Sequence, residues 1–158
     1  MSRHFGVSLP LSSMPSSSSW GIGEIPDLVP MGEWLAAAGG DQLMLLPVGT
    51  MPPGQASPYS ACSAMAIDPI YVSVTAVEDF QRARGVAKMA PELRARLDDA
   101  RQSADVRFSD VRQVKESALF MAFECFIEEE WDQRTIRAGE LAGFMLRERW
   151  WLDDYALF

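Results

Sequence analysis

Histidine is almost missing from this chain: His4 is the only one among 158 residues. A Ser-His or Cys-His nucleophilic system, or a histidine-based metal site, would have to rest on that one side chain beside the terminus. Both chemistries are therefore set aside, and no metal is expected. Cysteine is nearly as scarce. Cys62 and Cys125 make neither a disulfide framework nor a metal-ligand spacing, and they are expected as buried thiols in a reducing cytoplasm. Cations are short as well, with 14 Lys and Arg against 22 Asp and Glu and a net charge of −8. That balance argues against non-specific nucleic-acid binding, which needs clustered positive charge to displace counterions, and against an anionic membrane surface. No apolar run nears the roughly 18 residues that span a bilayer, and Met1 to Phe5 lacks the apolar core of a signal peptide. The expectation is a cytoplasmic protein without nucleic-acid or membrane partners.

What is present fits one compact domain, since 48% of the residues are hydrophobic. Gly6-Val7-Ser8-Leu9-Pro10-Leu11 alternates as a first strand should. Ser16 to Ser19 is a small low-complexity patch before Trp20-Gly21-Ile22-Gly23-Glu24, whose two glycines read as a turn rather than a phosphate cradle. Pro26 to Ala38 reads as a helix, with Leu28, Met31, Trp34, Leu35 and Ala38 on one face and Gly39-Gly40 as its stop. Leu43 to Leu46, closed by Pro47-Val48-Gly49, is a short apolar run of the buried-strand kind. Strand, helix and strand at this spacing make a βαβ unit and a parallel sheet.

Beyond that unit lies a Pro/Gly-rich loop from Gly49 to Ser57, then Ser57-Pro58-Tyr59-Ser60 and an expected extended segment, Ile70 to Val74. From Ala76 onward Gly and Pro nearly vanish, and helices are expected over Glu92–Arg101, Asp110–Glu130 and Gln133 to the end. The division is residues 1–75 as the strand-helix-strand part with its loop, and 76–158 as a helical part. Trp150-Trp151-Leu152-Asp153-Asp154-Tyr155-Ala156-Leu157-Phe158 puts Trp151, Tyr155 and Phe158 on one helical face. Chain ends tend to be polar and frayed, so the sequence is expected to be the front part of a larger fold.

Ligands of α/β proteins gather on loops at the carboxyl ends of strands, which draws attention to Tyr59. Pro58 stiffens its backbone, and Ser57 and Ser60 offer hydroxyls beside an aromatic face, a combination suited to a sugar. A tyrosine pinning its own loop is the competing reading. Trp20 is a second candidate of the same kind, with core packing as its alternative. The runs Asp98-Asp99, Glu128-Glu129-Glu130 and Asp153-Asp154 look like paired carboxylates, but adjacent helical residues point about 100° apart. The Glu128 run is expected as a solvated face, whereas aromatic neighbours could partly desolvate Asp153 and Asp154.

Taken together, Ser13-Met14-Pro15, Trp20-Gly21-Ile22-Gly23-Glu24, Trp34-Leu35-Ala36-Ala37-Ala38-Gly39, Leu45-Leu46-Pro47-Val48-Gly49, Ser57-Pro58-Tyr59-Ser60 and Asp68-Pro69 form an ordered set. Val106-Arg107-Phe108, the helix with Val111, Lys115, Leu119 and Phe123, and the closing Trp150 to Phe158 motif continue it. The whole set resembles the start of the 4-α-glucanotransferases (amylomaltases, or disproportionating enzymes) of the α-amylase superfamily.

That resemblance implies the first part of a (β/α)₈ TIM barrel, an α/β fold with about two of its parallel strands here, and an α-helical insertion subdomain. It implies transfer of α-1,4-glucan segments between maltooligosaccharides through a covalent glycosyl-enzyme, with no metal or organic cofactor. It also implies that Tyr59 lines the donor sugar site with Ser57 as a polar neighbour. The family's nucleophile, acid/base and stabilising carboxylates match nothing here and are expected beyond Phe158, so the chain alone is expected to be inactive. Ser16 to Ser19 and Met51 to Ala56 depart from the common family form, and Asp68 stands where that form has asparagine. The expected partners are a glucan, and either a second copy or the rest of the barrel. The alternatives are a non-catalytic carbohydrate-binding or interaction fragment, and a partial product with no function of its own.

Overall fold

Gly6, Val7, Ser8 and Leu9 alternate in burial as well as in polarity, with Val7 and Leu9 turned inward in strand β1 (Gly6–Leu9). The computed structural model, which describes residues 4–157, continues through a 3-10 turn at Leu11–Ser13 and another at Ile25–Asp27. Helix α1 (Leu28–Ala37) follows, and the chain returns as β2 (Gln42–Leu45). β1 and β2 pair in parallel, with Gly6 opposite Gln42 and Leu9 opposite Leu45. This is the expected βαβ unit, and the protein is α/β with two parallel strands and mostly helices. The face foreseen for α1 is only partly covered: Leu35 is buried, but Trp34 is 60% exposed.

The turn at the two glycines is a close-packing device. Gly21 has a φ of +76°, and a Cβ on Gly23 would lie 1.9 Å from the Leu11 carbonyl oxygen. Gly23 N–H in turn donates to the Ser12 carbonyl.

Ile70 to Val74 departs from expectation. It forms 3-10 turns at Pro69–Tyr71 and Val74–Ala76 rather than an extended strand. The Asp68 carboxylate accepts the Ile70 N–H at 3.0 Å and Pro69 presets the first turn, so a cap overrides the β propensity of the side chains. The carbonyls of Ile70 and Val72 face Lys115 instead of a neighbouring strand.

The remainder is helical: α2 (Glu78–Arg82), α3 (Pro91–Gln102), α4 (Phe108–Phe126) and α5 (Ile136–Leu157). α4 does not run on unchanged to Glu130. It passes into a π turn at Ile127–Trp131, and the chain then bends at Arg134, whose φ is +54°. Two apolar clusters hold the molecule together. One joins Trp20, Val74 and Phe80 to Leu97, Val114, Ala118 and Ala122; the other joins Leu11, Ile22, Ile70 and Tyr71 to Ala100 and Val111. Both draw residues from either side of position 75, with α4 as the shared wall. Phe158, expected beside Trp151 and Tyr155, lies outside the described residues.

The two kinds of glycine should separate in equilibrium denaturation. Gly23→Ala drives a Cβ into fixed backbone and is expected to destabilise by about 1–3 kcal/mol. Gly32→Ala, inside α1 with no atom within 4 Å of the new carbon, should stabilise by about 0.5–1 kcal/mol.

Candidate functional site

The loop that follows β2 is a closed structure with a rigid base and an open tip. Gly49 and Ile67 form an antiparallel bridge across its neck. Asp68 N–H donates to Val48 O at 2.9 Å, Thr50 N–H to Ala66 O at 3.1 Å, and Cys62 N–H to Thr50 O at 2.8 Å. A side chain at Gly49 would meet the Ser63 carbonyl at 2.4 Å, which explains the glycine there. Met51 is buried and anchors the first arm. At the tip, Pro58–Ser60 makes a 3-10 turn that carries Tyr59 outward, 74% exposed, with Ser57 exposed beside it.

Asp68 is the far root of this loop and is completely buried. Its carboxylate accepts Ile70 N–H and Met51 N–H, both at 3.0 Å, and a two-pronged contact from the Arg112 guanidinium of α4 at 3.1 and 2.7 Å. Paired N–H donors on a carboxylate fix direction as well as distance. The Asp68 hydrogen bond, outweighing the cost of burial, raises the Arg112 pKa and keeps the cation charged. An aspartate here, rather than an asparagine, has a cation to match it. Thr50, near the other root, shares a 2.7 Å hydrogen bond with the Tyr155 hydroxyl of α5. Between the loop and α4 lies a groove of about 490 Å³, bordered by Pro53, Gln55, Phe108 and Gln113.

Beneath the loop sits a buried ion pair. Lys115 Nζ lies 2.7 Å from Glu24 Oε1 and donates to Ile70 O at 2.7 Å and Val72 O at 2.9 Å. Glu24 also accepts Trp20 N–H, and Asp27 accepts Glu24 N–H at 2.7 Å. Burial lowers the Lys115 pKa, and the hydrogen bond and charge of Glu24 oppose that shift.

A second ionic cluster lies between α2 and the start of α5. Arg137 holds Asp79 through both carboxylate oxygens and reaches Glu130 at 2.9 Å, while Arg82 bonds Glu130 at 2.7 Å and Glu78 at 2.5 Å. The Thr135 hydroxyl also donates to Glu130. That hydrogen bond, followed by those of Arg137 and Arg82, pulls the Glu130 carboxyl down to about 2.

The candidate residues therefore part company. Tyr59 and Ser57 are presented together at the loop tip. Trp20 is not: it is 1% exposed and packs edge-on against Phe80 at 5.8 Å, so it has no face for a ligand. Cys125 is buried, but Cys62 is exposed on the loop, contrary to expectation. Glu128 and Glu129 are solvated as foreseen, whereas Glu130 is buried in its cluster. Asp153 and Asp154 are exposed, and Asp153 lies 3.8 Å from Arg149. His4 pairs with Asp41. Among the described residues, each buried carboxylate is bound to a cation or a backbone N–H, and no three metal-ligating side chains come together. What the loop presents is an exposed aromatic ring with hydroxyls beside it on a braced base.

Comparison with known proteins decides the family. A family model described as 4-alpha-glucanotransferase matches residues 9–158. The chain belongs to the 4-alpha-glucanotransferase family. It is 27% identical over 157 residues to the 4-alpha-glucanotransferase of Chlamydia muridarum, covering 97% of this chain and 27% of that relative. With the enzyme of Chlamydia caviae it is 29% identical, covering 100% of this chain and 28% of that protein. The crystal structure of amylomaltase from Corynebacterium glutamicum superposes with a TM-score of 0.61 at 28% identity, over 75% of this chain and 18% of that one. The chain thus spans about a quarter of the length of the curated 4-alpha-glucanotransferases it matches.

Arg112, Lys115, Thr50 and Tyr155 were not singled out as site residues from sequence. Lys115 carried a signal, because it interrupts the apolar stripe of Val111, Ala118 and Ala122; a cation on such a stripe requires a buried partner.

Two measurements check this electrostatic account. Asp68→Ala strands the Arg112 charge and two N–H groups and should cost about 3–5 kcal/mol in urea unfolding, with Asp68→Asn costing less. Glu130, depressed in the fold from 4.5 to about 2, contributes stability that is fully present above pH 4.5 and disappears as the pH falls through about 2. Glu130→Gln should flatten the stability-against-pH curve over that window, and an unchanged acid limb would refute the assignment.

Proposed function

We propose that this chain is the amino-terminal part of a 4-α-glucanotransferase that moves α-1,4-glucan segments between maltooligosaccharides through a covalent, retaining glycosyl-enzyme. The family match over residues 9–158 carries the proposal. In this reading β1, α1 and β2 begin a (β/α)₈ barrel, and residues 76–158 form a helical subdomain inserted into it. Tyr59 stacks on a sugar ring in the donor site and Ser57 supplies a hydroxyl contact. An exposed ring on a braced loop supports this role, because an aromatic face binds the C–H face of a sugar while the neighbouring hydroxyls satisfy its polar edge. The nucleophile and acid/base belong to later strands of the barrel, since the carboxylates buried here are already committed to cations or N–H groups. No cofactor takes part.

The outer edges of both strands are unpaired within the two-stranded sheet, and α5 leaves Trp150, Phe144 and Leu146 exposed. Docking of the remaining barrel, or self-association, belongs to the same reading. So does a cytoplasmic setting, which two free thiols fit.

A non-catalytic carbohydrate-binding fragment is the second reading, favoured by the same commitment of the buried carboxylates. Incubation of the chain with maltotriose, followed by chromatography and light scattering, tests both. No turnover by the chain alone is expected, with weak maltotriose binding that Tyr59→Ala abolishes. That variant should change stability by less than about 0.5 kcal/mol, as for other exposed positions. Glucose plus longer maltooligosaccharides would mean that the catalytic carboxylates lie within these residues and would overturn the division of labour. A compact monomer stable on dilution would remove the self-association.

A further inference from the structure

We infer that Tyr155 is a positioning residue for the Tyr59 loop, acting through its hydroxyl on Thr50. The inference deepens the glucan-binding reading and rests on it only for the ligand. The 22-residue α5 buries just one side chain, Ala138, so packing does little to fix its course. Polar contacts hold it at its two ends instead. Near the start, Arg137 binds Asp79 and Glu130. One turn from the end, Tyr155 meets Thr50 at 2.7 Å across a separation of 105 residues. The Tyr155 ring is steadied by Trp151, whose ring lies 5.9 Å away and whose indole N–H donates to Glu148 at 2.8 Å.

Thr50 is well chosen as the point of attachment. Its N–H and carbonyl make two of the three backbone bonds that close the loop, to Ala66 O and from Cys62 N–H. A side chain held at this residue therefore controls the neck on which the Tyr59 tip is carried. The opposite root is held by Asp68 on Arg112 of α4. The loop is suspended between two helices, and the α5 attachment is the weaker because it is a single neutral hydrogen bond. α5 thereby sets how firmly the sugar-facing tyrosine is presented.

Amide hydrogen exchange and maltotriose titration on the full chain test this, comparing Tyr155→Phe, Thr50→Val and Thr50→Ser with the wild type. Loss of one neutral hydrogen bond should lower protection of the Thr50 and Cys62 amides about fivefold in Tyr155→Phe, and at least as much in Thr50→Val, which also loses the 3.5 Å hydroxyl contact with Ala66 O. Maltotriose should bind more weakly by a similar factor in both. Thr50→Ser, which keeps the hydroxyl, should restore protection and affinity, while α4 amides stay as in the wild type. Unchanged loop exchange in Tyr155→Phe overturns the inference, and so does an equal loss of protection throughout α4, which would mark a merely structural role. Absence of maltotriose affinity in the wild-type chain refutes the glucan reading alone, and the exchange comparison still decides the role of Tyr155.

Discussion

The fold depends on a lysine shut off from bulk solvent. Lys115 is 1% exposed on α4, and burying an ammonium costs several kcal/mol unless partners replace its hydration. Its three donors are matched by Glu24 and by the carbonyls of Ile70 and Val72. Those partners come from the turn after β1 and from the segment after the Tyr59 loop. Satisfying one charge therefore brings three distant stretches to a single point. The geometry tolerates little variation, because any partner that withdraws leaves a buried charge or a buried carbonyl behind.

One turn earlier on the same helix, Arg112 repeats the device at the rim of the site. Asp68 is buried yet accepts four hydrogen bonds, two from the chain on either side of the loop and two from the guanidinium. α4 thus grips the β1–α1–β2 part and its loop with two cations, one beneath the loop and one at its root. The result is a loop whose base is as ordered as a core while its tip, with Tyr59 and Ser57, stays in solvent. A loop on a rigid mount has less conformational entropy to lose on any further ordering.

The helical end of the chain is arranged differently. Arg82 and Arg137 share Glu130, and the Arg137 guanidinium also lies 5.5 Å from the centre of the Phe126 ring. Thr135 completes the set just as the π turn gives way to α5. Polar contacts, rather than apolar area, tie α5 to the rest, and the helix leaves many large apolar side chains uncovered. Such a helix is positioned at its ends and is open along its length to further packing.

Periodicity and chain punctuation were enough to read the βαβ unit, the three long helices and the Pro/Gly-rich loop that carries Tyr59. These features are local: alternation, a 3.6-residue repeat, and Pro or Gly at the boundaries act on neighbours in sequence. The ordered motifs were enough to read the family. The β-branched side chains of Ile70 to Val74 signal a strand, whereas a carboxylate cap and a distant lysine decide the backbone. The local sequence around Trp20 fits ligand contact and core packing alike, and only the arrival of Phe80 closes it off. Glu130 looks like its solvated neighbours until two arginines from other helices converge on it. The pairings of Asp68 with Arg112 and of Thr50 with Tyr155 span 44 and 105 residues. Contacts over such separations leave no local pattern, so the amino-acid order determined the elements and the family, and the tertiary structure alone decided which charges meet and which aromatic residues face solvent.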